Sequence, residues 1–478
     1  MQASKSLKFR GKKEVNMLSG SIMKGIMAIA IPIMIMNVLQ SLFNIIDMVI
    51  LKMYDTEGGY SVGAVGACGT LFSFITGLAI GIAAGANVVI AKYIGKGDKE
   101  GVDKSVGTAL VFSVISGFVL LVIGVVFAEF FLGLVNCPTK FFDKAVLYFR
   151  LYFLGMPFFT FYNFAAAILR SSGDSRRPMI YLTIGGVVKV VLTFLLVGVL
   201  KMEIVGVSIA TISTWVITSV LEVIALIRDG GVVTINFKTL KIYGKQLKEI
   251  LRIGIPTGLQ QALYSVANLV IAGAVNSYGA DEITKANAST GVSIANNFDG
   301  ILYQIATAPA LAVMPYVSQN VGAKNMKRAK GAIWKGMLIT LIFGGGLGAL
   351  SAIFSAQLSS IMTSNPEVIK FSQQKMMLIS ITYFICGINE ILGAGLKGMG
   401  KPMIPMIATM IFMCAIRFPW VWFIYPLFQN LTFLYTIWPI GWVLSIIMVL
   451  CFLIPTSRKL DKQFNEEKQV NIQEVEIA

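Results

Sequence analysis

The chain has 478 residues, of which 56% are hydrophobic and 13% charged, with a formal net charge of +16 and a mean hydropathy of +0.76. A soluble domain carries about 25% charged residues, so an ordinary globular protein is excluded. The absence of histidine also excludes His-based proton relays and His-ligated metal chemistry.

In chain order, residues 1–22 form a tail carrying Lys5, Lys8, Arg10, Lys12 and Lys13. It runs straight into a full-length apolar stretch, so no cleavable signal peptide is expected. About twelve apolar stretches follow, near 23–51, 60–90, 105–133, 146–169, 179–200, 204–227, 253–278, 288–318, 332–356, 372–396, 403–425 and 431–455. Each is long enough to cross a hydrocarbon layer of ~30 Å, which predicts an all-α membrane protein. Glycines within the stretches, as in GTLFSFITGLAIGIAAG, permit close helix approach.

The first stretch holds Pro32, which removes a backbone hydrogen bond and favours a kink; Pro256 does the same in the seventh. Both are candidate hinges. Asn37, Gln40, Asn44 and Asp47 follow at spacings of 3, 4 and 3, which puts them on one helical face. A polar stripe ending in a carboxylate inside an apolar helix predicts a wet cavity, unless Asp47 merely reaches the outer interface. Charge at the bilayer centre costs on the order of 2.5–3.5 kcal/mol, so it marks a pathway or a pair. Lys189 lies mid-span and reads either as a switch, paired with Asp47 in one state and released when Asp47 is protonated, or as a fixed ion-pair partner. Arg150 and Glu222, near span ends, are expected at the interface.

Residues 229–252 read as a linker; a short amphipathic surface helix built on Leu240, Tyr243, Leu247 and Leu251 is the alternative. The seventh stretch keeps part of the polar stripe as Gln261, Tyr264 and Asn268, with Ile271 in place of the acid. Asp299 and Glu390 are further intramembrane acids with Asn neighbours, each either lining a cavity or structurally paired. Arg417 is a further intramembrane base. Residues 456–478 are polar and acidic, the composition of a disordered tail. Five scattered cysteines (Cys68, Cys137, Cys386, Cys414, Cys451) give no disulfide or metal spacing.

The chain repeats itself. Arg170 and Lys397, Gly173 and Gly400, and Gly95 and Gly322 are each 227 positions apart; Pro32 and Pro256, and Asn44 and Asn268, are 224 apart. By the same offsets Glu390 aligns with Asn163, Asp299 with Phe72, and Arg417 with Thr193. Six spans per half make the repeat parallel, about an axis along the membrane normal, which points to a transporter with its site between two lobes. The expected organisation is a tail (1–22), an N-lobe (23–228), a linker (229–252), a C-lobe (253–455) and a tail (456–478). Alternate loops and the two tails carry 29 Lys and Arg, against 6 in the intervening loops. The positive-inside rule reads this as both termini cytoplasmic, and it removes the case for nucleic acid.

The pattern AxxIPxxxxNxLQxLxNxxDxxIL in the first helix, the loop RSSGDSRRP, and SQNVGAKN with GLKGMGKPMIPM in the second half resemble the multidrug and toxic compound extrusion (MATE) family. The likeness is to its bacterial branch with an acid in helix 1. It extends over residues 20–455. It implies twelve helices in two six-helix lobes around a central cavity, in the bacterial cytoplasmic membrane. It also implies cation-coupled export of amphipathic, often cationic, small molecules by a monomer. On that resemblance Asp47 matches the helix-1 coupling acid and Glu390 the helix-10 acid, with H+ or Na+ as coupling ion and no other cofactor. The family's helix-7 acid has no match. Lys189 and Thr193 stand where helix 5 often offers amide or carboxylate ligands, so a Na+ site cannot be assigned. Asp47, Glu390, Asp299 and Lys189 are the coupling candidates. The substrate cavity is expected at Asn37, Gln40, Asn44, Asn163, Gln261, Tyr264, Asn268 and Arg417. The alternatives are a lipid-linked oligosaccharide or other amphipath flippase, and more remotely a membrane enzyme or passive channel.

Overall fold

The computed structural model describes residues 15–54, 60–135, 137–228, 231–279, 281–428 and 430–477; the basic cluster from Lys5 to Lys13 lies outside them. Apolar segments in lipid must close their backbone hydrogen bonds within themselves, and the described residues form helices and no strand. In chain order these are α1 (Ile22–Tyr54), α2 (Tyr60–Lys96), α3 (Lys99–Val126), α4 (Thr139–Leu154), α5 (Met156–Ser171), α6 (Arg176–Val199) and α7 (Glu203–Arg228). There follow α8 (Gly244–Asn276), α9 (Glu282–Gly322), α10 (Met326–Ile353), α11 (Pro366–Gly398), α12 (Met403–Phe428) and α13 (Ile437–Ile477). Among the described residues 11 helices are long and apolar enough to span, or 12 with α4 and α5, bent by 46°, counted as one.

The repeat is visible in backbone detail. Gly97 (φ 71°) and Lys324 (φ 57°) occupy the same left-handed position 227 apart. Each precedes a helix cap, Asp98 accepting from the Gly101 amide and Asn325 from the Arg328 amide. Gly173 (φ 94°) and Gly400 (φ 77°) close the C-termini of α5 and α11 with the same pair of bonds. The Gly173 and Asp174 amides donate to the Arg170 and Leu169 carbonyls, and the Gly400 and Lys401 amides to those of Lys397 and Leu396. Both α6 and α12 carry a π-helical stretch, at Phe194–Val199 and Trp420–Ile424, just after the aligned residues Thr193 and Arg417. One close approach is reciprocal: a Cβ on Gly95 would overlap the Gln319 backbone, and one on Gly322 the Lys92 backbone. Since 92 and 95 align with 319 and 322, matched positions of α2 and α9 make the contact from both sides.

Packing divides the chain into two compact units. One gathers Pro32–Ile90 and Asp98–Ala262; the other gathers Asn16–Ile31, Ala91–Gly97 and Leu263 onward. The boundary within α1 falls at Pro32. The core of the first unit is aromatic: Phe72, Tyr148, Phe149, Phe153, Phe159 and Trp215 are buried together, with Phe72 stacked on Tyr152 at 3.7 Å. The second unit's core centres on Tyr383, Met413, Leu434, Tyr435 and Trp442.

Three expectations change. The acidic tail is helical rather than disordered: α13 continues through Ile477. Lys330 pairs with Asp461 at 2.6 Å and Lys324 with Glu467, so the tail borrows its order from the basic α9–α10 turn. Residues 244–252 form no separate surface helix. They are the first turns of α8, which runs on through Pro256 without a break, since an established helix propagates at little cost. Finally, Glu222 is 0% exposed instead of interfacial, and neither of its oxygens has a hydrogen-bond partner among the described residues. Arg150, by contrast, pairs with the exposed Glu129 at 2.9 Å.

Candidate functional site

In the first unit, α1 and α6 bring the site together. Gly186 lies against the ring of Phe43, where a Cβ would overlap it, so α6 approaches α1 closely at that level. Lys189 and Thr193 follow on the same face of α6, one and two turns on. The Lys189 ammonium stands 2.6 Å from Asp47 Oδ2 and donates to Asn44 Oδ1 at 3.1 Å. The Thr193 hydroxyl donates to Asp47 Oδ1 at 2.8 Å. Asp47 and Lys189 are 5% and 7% exposed, which makes this a buried ion pair within two spans. Asn37 is buried as well, Gln40 is half-buried and Asn44 exposed, although the stripe shares one face. Gln40 and Asn163 both lie beside the Tyr162 hydroxyl; Asn163 also donates to the Phe159 carbonyl at 2.8 Å. Gln261 packs against Gly77.

In the second unit the aligned positions carry different chemistry on the same frame. Asn268, the counterpart of Asn44, accepts from the Arg417 guanidinium at 2.8 Å. Arg417 is 1% exposed and lies over the Trp438 ring, its Cζ 5.2 Å from the centroid. With Ile271 where Asp47 would be, no carboxylate pairs with it among the described residues. Tyr264, the counterpart of Gln40, donates to Glu390 Oε1 at 3.1 Å, while the neighbouring Asn389 accepts from Ser445 at 2.7 Å. Asp299 is not with Glu390. It pairs with Lys375 of α11 at 2.9 Å, and the Lys375 ammonium also donates to Asn296.

The sequence reading thus anticipated the Asp47–Lys189 pair, with Asn44 on the same stripe; it named Tyr264, Glu390, Asn268 and Arg417 separately, and the structure joins Tyr264 to Glu390 and Asn268 to Arg417. It missed Lys375, although a lysine in an apolar stretch and the spacing Asn296–Asp299, matching Asn44–Asp47, were both available. Thr193 was noted only as a departure. In the first unit an ammonium fills the place next to the carboxylate that a bound cation would need. No group of three or more Cys, Asp or Glu able to hold a metal occurs among the described residues.

The MatE family model matches residues 32–195 and 256–423, once in each half. The chain is 26% identical over 407 residues to the probable multidrug resistance protein YoeA of Bacillus subtilis, covering 84% of this chain and 86% of that one. It is 23% identical over 412 residues to the FAD transporter of Shewanella oneidensis, covering 84% and 87%. Its fold is similar to the outward-facing structure of a multidrug resistance MATE family transporter of the MOP superfamily. The TM-score there is 0.86 at 23% identity, over 95% of this chain and all of that one.

Proposed function

Since the chain belongs to the MatE family, we propose that it is a secondary antiporter that exports amphipathic, mainly cationic, small molecules in exchange for protons. The Asp47–Lys189 pair carries this reading. A carboxylate and an ammonium held in apolar spans form a two-state element whose balance a proton can tip. Protonation of Asp47 cancels its attraction for Lys189 and for a cationic substrate alike. Whichever global state holds the neutral acid more comfortably gains population. The ammonium beside Asp47 favours a proton over Na+ as the coupling ion, because the position that Na+ would occupy already carries a charge. Met and Phe, with 23 and 31 copies, supply adaptable apolar contacts for varied ligands. The basic loops support a bacterial cytoplasmic membrane location with both termini inside. Pro32, at the unit boundary, and Pro256 are the proposed hinges.

A second reading has one observation behind it. Arg417 is a buried cation with no carboxylate paired to it among the described residues, which suits a ligand bearing an anionic group, and one relative is named as an FAD transporter.

The test uses inside-out vesicles with ethidium as probe, under a proton gradient with Na+ clamped and then the reverse. Ethidium uptake is expected to follow the proton gradient and to vanish in Asp47→Asn while membrane insertion persists; undiminished uptake by that variant sinks the reading. A flavin nucleotide probe in the same vesicles tests the second: uptake that exceeds that of ethidium and is lost in Arg417→Gln would favour the anionic ligand.

A further inference from the structure

The two units hold the same three-residue arrangement at places the repeat does not relate. In the first unit one helix offers Asn44 and, three residues on, Asp47; a lysine from another helix lies 2.6 Å from the carboxylate and donates to the amide oxygen. In the second unit α9 offers Asn296 and, three residues on, Asp299. Lys375 of α11 lies 2.9 Å from the carboxylate and donates to the amide oxygen. Both pairs are more than nine-tenths buried within membrane-spanning helices. Asp299 aligns with Phe72 and Lys375 with Tyr148, so duplication did not copy one from the other: the same chemistry stands on different helices.

We propose that Asn296, Asp299 and Lys375 form a second proton-coupling site, so that the transporter exchanges two protons per substrate. The inference rests on the antiport reading above and extends it. The step is a single proton transfer. A water-borne proton forms an O–H bond on Asp299, the ion pair becomes a neutral acid beside an ammonium, and Lys375 keeps Asn296 as acceptor. The reverse transfer on the other side of the membrane restores the carboxylate.

The surroundings suit such a cycle. Tyr383 of α11 and Tyr435, before α13, lie close enough to interact electrostatically with Asp299. The Tyr435 hydroxyl is fully buried and has no hydrogen-bond partner among the described residues. The Trp438 ring, 5.8 Å from the Lys375 ammonium, also carries Arg417. Glu390 has its own partner in Tyr264. Magnitude points the same way. Moving a two-state equilibrium from 1:99 to 99:1 takes a differential affinity of about ten-thousandfold, about 5.5 kcal/mol. Shared between two carboxylates, each need differ only about a hundredfold between states.

Stoichiometry is the readout. Proteoliposomes with membrane potential clamped to zero are given a gradient of one pH unit, and the steady-state ethidium ratio is measured. Two protons per substrate predict a ratio of about 100-fold, one proton about tenfold, since each factor of ten corresponds to 1.4 kcal/mol. Wild type is expected near 100-fold and the neutral double variant Asp299→Asn/Lys375→Met near tenfold. The double variant is preferred because Asp299→Asn alone strands a buried ammonium. A wild-type ratio near tenfold, or a double variant that keeps 100-fold, overturns the second site and leaves the role of Asp47 standing. Uptake indifferent to the proton gradient overturns both.

Discussion

Lys189 offers three donors, of which Asp47 and Asn44 take two, at 2.6 and 3.1 Å, and Thr193 holds the other carboxylate oxygen. Removing one partner of a buried pair leaves an uncompensated charge and costs about 3–5 kcal/mol, whereas replacing both by neutral groups of similar volume is often neutral or stabilising. Lys189→Met is therefore expected to lower the thermal midpoint in detergent sharply, and Asp47→Asn/Lys189→Met to recover most of the loss. Only the single substitution leaves a lone charge, so stability should recover in the double variant while proton-driven export does not. A double variant as unstable as Lys189→Met would show that the two side chains do not compensate each other. Recovered export would show that the pair is scaffold and not switch. Asp174 differs in kind: fully buried, it accepts from the Arg176 and Arg177 amides and pairs with the Arg177 side chain, fixing the turn into α6 on which Lys189 is carried.

At the level of elements, the repeat makes its own control experiment. Gly97 and Lys324 occupy one left-handed turn in two copies. A side chain there costs about 1–2 kcal/mol that glycine avoids, while the exposed Lys324–Glu467 pair contributes only about 0–1 kcal/mol. Lys324→Gly should be more stable than Lys324→Ala by about 1 kcal/mol, because both lose the ion pair and only glycine loses the strain. Equal midpoints in a thermal-shift assay would contradict that assignment. These turns were legible in the sequence through their offset of 227, as were the spans, through length and hydropathy. The order of the C-terminal tail was not, since its composition is that of a solvated segment and its helix depends on pairing with Lys324 and Lys330, over 130 residues earlier. Lys375 stayed hidden for a similar reason: its partners, Asn296 and Asp299, come from α9, and the repeat places Tyr148 at its aligned position. Spacing reveals which residues share a helix face, but the choice of facing helix belongs to packing.

For the whole molecule, the duplication fixes where the helices run and leaves their chemistry free. Asn44 and Asn268 each accept from a cation on the fifth helix of their own half, yet the donor is Lys189 in one and Arg417 in the other, displaced by one helical turn, and among the described residues only Lys189 pairs with a carboxylate. That comparison of aligned positions holds only if both halves start on the same side of the membrane. That parity is testable. An even number of spans per half puts Lys459, just past the apolar part of α13, on the same side as Lys245 at the start of α8, and Lys370, at the start of α11, on the other. The charge asymmetry assigns Lys459 and Lys245 to the cytoplasm. In a chain with its five cysteines replaced by serine, Lys370→Cys should react with an impermeant maleimide on intact cells, and Lys245→Cys and Lys459→Cys only after permeabilisation. If Lys245→Cys and Lys459→Cys labelled from opposite sides, the halves would be inverted rather than parallel, and the alignment of Asn44 with Asn268 would no longer place both asparagines on helices that run in the same direction.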